Sequence, residues 1–185
     1  MSQLVFVFGT LKEGFPNFAT NKGARVAGHF MTVEPYPLYL VGERFSPWLV
    51  DAAGEGERVV GQVFEVDEAT LVAMDELERI AEPDGYRRVM LEVEALQDGR
   101  GATCIVNAYI KPRGQFSVED VRLGPLQEYT LEHAALYRRR ARAVRTREAT
   151  VGHQRPEGGR TAQVPTSRPC AMVKLEMPPD RPLAT

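Results

Sequence analysis

Leu4-Val5-Phe6-Val7-Phe8-Gly9-Thr10-Leu11-Lys12 opens the chain with an unbroken apolar run that ends in a Gly-Thr pair. Val and Phe at successive positions suit a strand covered on both faces, and the Gly-Thr pair ends it in a turn. Backbone N–H groups freed by such a turn can be aimed at an anion. A second informative stretch, Met74-Asp75-Glu76-Leu77-Glu78, lies about seventy residues on, inside a predicted helix over 68–82 with Asp67 as its N-cap. With Leu71 at zero on a helical wheel, Ala81, Met74 and Leu77 fall at about 280°, 300° and 240°. Glu78 falls at about 340°, within that apolar arc, whereas Asp75, Arg79 and Glu76 fall at about 40°, 80° and 140°, on or near the wet side. Periodicity leaves two readings of Glu78 open. It reaches solvent or an arginine from the helix margin, or it is a buried carboxyl with a raised pKa and a chemical task.

Working outward, the remaining pattern is one of short strands. Strands are expected over 25–33, 38–41, 48–50 and 58–66, the first two separated by Glu34-Pro35-Tyr36-Pro37. Two more, over 86–95 and 102–110, flank a turn at 97–101. Ser117-Val118-Glu119-Asp120 has the flavour of a capping box, and a helix is expected through 126–140. Many short strands and one firm internal helix define an α+β fold with a curled or closed sheet.

The 185 residues carry a net charge of −2 that hides a division. Residues 1–136 hold 12 Lys/Arg against 21 Asp/Glu (−9), and residues 137–185 hold 11 against 4 (+7). Two parts are therefore expected: a domain over 1–140 and a basic, Pro/Arg-rich, disordered tail over 141–185. The alternative for the tail is a single docked strand near Met172–Leu175. An acidic body argues against a nucleic-acid surface on the domain. The Arg138–Arg147 cluster reads as a basic helix end running into a solvated tail, or as an anchor for RNA or an acidic membrane.

Neither a signal peptide nor an apolar span of membrane length is visible, so the cytoplasm is the expected location; the oligomeric state is not set by the sequence, with a monomer favoured. Cys104 and Cys170 form no metal or redox spacing, and His29, His133 and His153 show no HxH or HxxxH pattern. The serines lack a GxSxG elbow, and no phosphate-binding glycine motif occurs. No metal and no cofactor is expected.

The run Val7-Phe8-Gly9-Thr10-Leu11-Lys12 resembles the Tyr-Gly-Thr-Leu-Lys signature of the γ-glutamylcyclotransferase-like superfamily, and Met74–Glu78 resembles its Leu-Asp-x-Phe/Leu-Glu segment. Glu34-Pro35-Tyr36-Pro37-Leu38, Gly42-Glu43, Pro47-Trp48-Leu49 and Gly61–Asp67 are similar to the γ-glutamylaminecyclotransferase (AIG2-like) branch, and Tyr86-Arg87-Arg88 to its Tyr-x-Arg. The resemblance implies a small mixed β-barrel flanked by helices. It also implies a substrate loop at Phe8, Gly9, Thr10 and Leu11 and a catalytic acid/base at Glu78. The implied reaction is intramolecular: the α-amine of a γ-glutamyl unit attacks its own γ-carbonyl, giving 5-oxoproline and a free amine without a metal or cofactor. The small-molecule substrate implied is a γ-glutamylamine; other γ-glutamyl compounds, or an inactive metabolite-binding module, are the alternatives. Phe8 departs from the usual Tyr, so a phenol contact at that position is missing here.

Overall fold

The computed structural model describes residues 2–96 and 101–139. The expected tail, the basic cluster beyond Arg139 and the turn residues 97–100 lie outside them. Among the described residues nine strands run in the order β1 (Gln3–Val7), β2 (Ala24–Arg25), β3 (Phe30–Thr32), β4 (Leu38–Val41), β5 (Ser46–Leu49), β6 (Val60–Val66), β7 (Arg87–Ala95), β8 (Thr103–Ile110) and β9 (Val121–Leu123). Helix α1 (Glu68–Glu78) follows β6, and α2 (Leu131–Leu136) follows β9.

The main sheet runs β1-β8-β7-β3-β6 and closes because β6 pairs back onto β1. The β1–β8 contact is parallel and the others are antiparallel, so the barrel is mixed, with β2 as an extra strand on β6. A smaller sheet, β5-β4-β9, joins the barrel where Val50 bridges Lys111 at the end of β8.

β1 is buried on both faces, which accounts for its unbroken apolar sequence. Phe6 points into the barrel with Phe8, Val63, Val93, Val106 and Ala108. Val5 and Val7 face outward and pack with Phe64, Val66, Leu71, Met74 and Tyr109, beneath α1. The strand can do this only because its neighbour yields space. A Cβ on Gly61 would come within 2.6 Å of the Phe6 ring and of the Val7 carbonyl oxygen.

Three expected elements differ in detail. The strand expected over 25–33 is two segments on the same edge of β6. Between the pairs Arg25–Phe64 and Phe30–Gly61, five steps on one strand meet three on the other. The two extra residues bulge around Gly28, whose φ of 93° is open to glycine at little cost. The predicted capping-box segment forms one 3₁₀ turn and then β9, which pairs with β4. The helix predicted from Leu126 begins at Leu131, because Leu126 and the carbonyl of Gln127 bond to Leu38 and Val60 instead.

Among the described residues no helix is long and apolar enough to cross a membrane. Gly61→Ala is expected to destabilise the domain by about 1–3 kcal/mol through overpacking against Phe6. Chemical denaturation measures this, and an unchanged midpoint would show that the ring can move aside.

Candidate active site

Asp67 caps α1 as its spacing requires, its carboxylate accepting from the Thr70 N–H at 2.8 Å. The helix ends four residues earlier than expected. Arg79 takes a left-handed conformation (φ 56°, ψ 45°), its N–H donates to the Glu76 carbonyl, and the Ile80 N–H reaches back to Asp75. This is a Schellman stop with arginine where glycine is usual. The Arg79 guanidinium holds Asp84 at 2.7 Å, which ties down the strained turn. Ala81 is therefore outside the helix and exposed, while Glu78 occupies its last turn.

From that position Glu78 lines a cleft of about 1340 Å³ together with the Phe8–Leu11 turn, Pro47, Trp48, Tyr86 and Lys111. The carboxyl is partly buried, and desolvation raises its pKa from 4.5 to about 7, against the opposing pull of the Lys111 cation. The partial negative charge of a helix C-terminus acts in the same direction as burial.

The surrounding side chains are braced. Lys111 is buried between the rings of Trp48 (4.5 Å) and Tyr86 (4.3 Å), and its ammonium donates to the Asp84 carbonyl at 2.6 Å. Tyr86 donates its hydroxyl to the Pro47 carbonyl at 3.1 Å. Burial, and then Glu78 beside it, push the Tyr86 pKa well up, so it stays a neutral donor. The Tyr-x-Arg spacing has a simple geometry: Tyr86 faces the cleft, and Arg88, two residues on, holds Asp75 of α1 at 2.7 Å. Asp75 also accepts from the Tyr109 hydroxyl at 2.7 Å, so the helix is pinned to β7 and β8.

Phe8, Gly9, Thr10 and Leu11 all line the cleft. The Phe8 ring, however, packs in the barrel core against Phe6, leaving its backbone as the accessible part. Gly9 is required by close packing: a Cβ there would meet the Pro47 ring at 2.9 Å. The carbonyls of Gly9, Thr10 and Leu11 accept hydrogen bonds within the turn. Their three N–H groups have no acceptor among the described residues. Lys12 turns away and pairs with Glu128 at 3.0 Å. Arg44, Lys111 and Tyr137 also line the cleft and carried no motif in the sequence.

These features define a class: a closed mixed barrel in which a partly desolvated acid at a helix end shares a cleft with a strand-terminal turn whose N–H groups have no acceptor among the described residues. The chain belongs to the Gamma-glutamyl cyclotransferase, AIG2-like family, whose family model matches residues 5–124. It is similar to Gamma-glutamylaminecyclotransferase of Homo sapiens, 36% identical over 140 residues that cover 70% of this chain and 90% of that protein. It is also similar to Gamma-glutamylaminecyclotransferase B of Danio rerio, 37% identical over 118 residues. That match covers 61% of this chain and 60% of the zebrafish protein, so it spans less than two thirds of that relative. The crystal structure of an AIG2-like protein from Mus musculus superposes with a TM-score of 0.63 at 31% identity, covering 78% of this chain and 99% of the mouse chain.

The raised Glu78 pKa has a consequence for stability. The folded state holds its proton up to about pH 7, the unfolded state only to about 4.5, so ionising Glu78 costs stability as pH rises through that window. Glu78→Gln removes this cost. The variant is expected to melt above the parent at pH 8 and level with it at pH 4. Equal melting at both would show that the carboxyl is well solvated.

Proposed function

We propose that the chain is a γ-glutamylamine cyclotransferase with Glu78 as its general acid and base. The observation that carries this reading is a carboxyl with a pKa of about 7 in the same cleft as the Phe8–Leu11 turn. The names of the relatives support the class of reaction.

The substrate brings its own nucleophile, so tethering supplies much of the rate and the protein has two tasks left. Glu78, ionised, takes a proton from the α-ammonium. The amine nitrogen then bonds to the γ-carbonyl carbon, and the five-membered ring closes. The amide C–N bond breaks as Glu78 returns its proton to the departing nitrogen, and the second proton, left on the ring nitrogen after attack, passes to the released amine, which departs as an ammonium ion. A group whose pKa lies near the working pH serves both steps. The products are 5-oxoproline and a free amine.

The unpartnered N–H groups of Gly9, Thr10 and Leu11 are the donors for the developing oxyanion or for the α-carboxylate. One such donor contributes about 3 kcal/mol in well-studied cases. Phe8 takes part through its backbone, because its ring is committed to the core.

Incubation with γ-glutamyl-ε-lysine, glutathione and γ-glutamyl-alanine, followed by 5-oxoproline quantification, tests the reading. Product is expected from the first compound. Glu78→Gln is expected to abolish turnover with its circular dichroism intact, and Glu76→Gln to retain most of it. Full activity in Glu78→Gln would remove the assignment.

The profile of kcat/KM against pH is expected to fall on the acid side with a midpoint near 7, as Glu78 is protonated. Lys111→Met removes the cation that favours the carboxylate and should carry that limb to higher pH. A limb that stays in place would mean that another group titrates.

A further inference from the structure

One wall of the cleft is made by two groups far apart in sequence, Arg44 in the β4–β5 turn and Tyr137 just after α2. The Tyr137 hydroxyl oxygen accepts from the Arg44 guanidinium at 3.2 Å and from the Asn17 side-chain amide at 3.3 Å. A phenol oxygen has room for two such bonds and keeps one proton to donate. With both accepting positions filled, the proton is the one group still to be placed, and among the described residues nothing accepts it. The same Asn17 amide also donates to the Thr10 hydroxyl at 2.9 Å, which ties Tyr137 to the Phe8–Leu11 turn.

Arg44 is held as firmly. Its Nε donates to the Arg138 carbonyl at 3.1 Å, and the Arg138 N–H donates back to the Arg44 carbonyl at 3.0 Å. The guanidinium lies 5.8 Å from the centre of the Tyr137 ring. Among the described residues it has no carboxylate partner, although the exposed Glu43 and Asp120 line the same cleft. A partly buried guanidinium without a counter-ion, beside a phenol proton without an acceptor, is complementary to a carboxylate. Donation from Arg44 onto the phenol oxygen also polarises the O–H that would meet it.

We propose that Arg44 and Tyr137 form a binding site for a carboxylate of the substrate, the guanidinium supplying charge and the phenol one hydrogen bond. The proposal rests on the cyclotransferase reading for the identity of the substrate. Two carboxylates qualify by chemistry: that of the γ-glutamyl unit, and one carried by the departing amine. The competing account is a clip that fastens the segment after α2 to the β4–β5 turn.

Steady-state kinetics of the full chain, Tyr137→Phe and Arg44→Met separate these, with γ-glutamyl-ε-lysine and γ-glutamyl-butylamine as substrates. Each variant is expected to raise KM about tenfold, with kcat changed far less. A rise with both substrates assigns the pair to the γ-glutamyl carboxylate; a rise with the lysine compound alone assigns it to the departing amine. Unchanged KM in both variants overturns the proposal. So does a lowered melting temperature with KM retained, which is the signature of a clip.

Should the full chain form no 5-oxoproline, the cyclotransferase reading fails separately. Calorimetric titration of the same three proteins with γ-glutamyl-ε-lysine then decides the pair. Binding weakened about tenfold in both variants supports it, and equal binding in all three, or none by the full chain, overturns it.

Discussion

The burial of β1 on both faces is the constraint from which the rest of the molecule follows, since Phe6 must fill the barrel while Val5 and Val7 lie beneath α1. One face requires a closed sheet with Gly61 beneath the aromatic ring; the other requires a helix packed against the outside. Once both coverings exist, the end of β1 and the end of α1 are held in one cleft. The turn of free N–H groups and the acid are the termini of two elements that share a core. Losing a large core ring such as Phe6 would cost about 3–5 kcal/mol.

The cleft shows how a fold raises one pKa while keeping its surroundings ordered. The carboxyl is partly removed from water, and the cation that opposes this effect has other commitments as well. Lys111 is stacked between two rings and bonded to a backbone carbonyl, so it moderates the charge on Glu78 and leaves the raised pKa in place. Tyr86, kept neutral by burial, adds a hydrogen-bonding wall without adding charge.

How legible this was in the sequence depended on whether the signal was local. The apolar run of β1 and the Asp67 cap each sit within a few residues and survive in the structure, whereas, of the apolar arc around Glu78, Leu71 and Met74 are buried and Leu77 and Ala81 are exposed. The early end of α1 was invisible, because arginine carries no propensity for the left-handed turn that Arg79 adopts. Strand β9 was not foreseen, and the extended stretch before α2 was read as helical, because their pairing partners lie far away in the chain. Arg44, Lys111 and Tyr137 escaped for the same reason: each sits in an unremarkable local context, and only the barrel brings them together. Phe8 shows the reverse, a motif position that was legible while the direction of its side chain was not.

The positions of the two halves of the cleft also imply unequal protection from local opening. The turn extends from a strand buried on both faces, the kind of element whose amides are expected to open last. Tyr137 lies instead one residue beyond a six-residue helix that contains no buried residue. The persistence of that wall therefore rests on the bonds from Tyr137 and Arg138 to Asn17 and Arg44, and not on packing of the helix that precedes it.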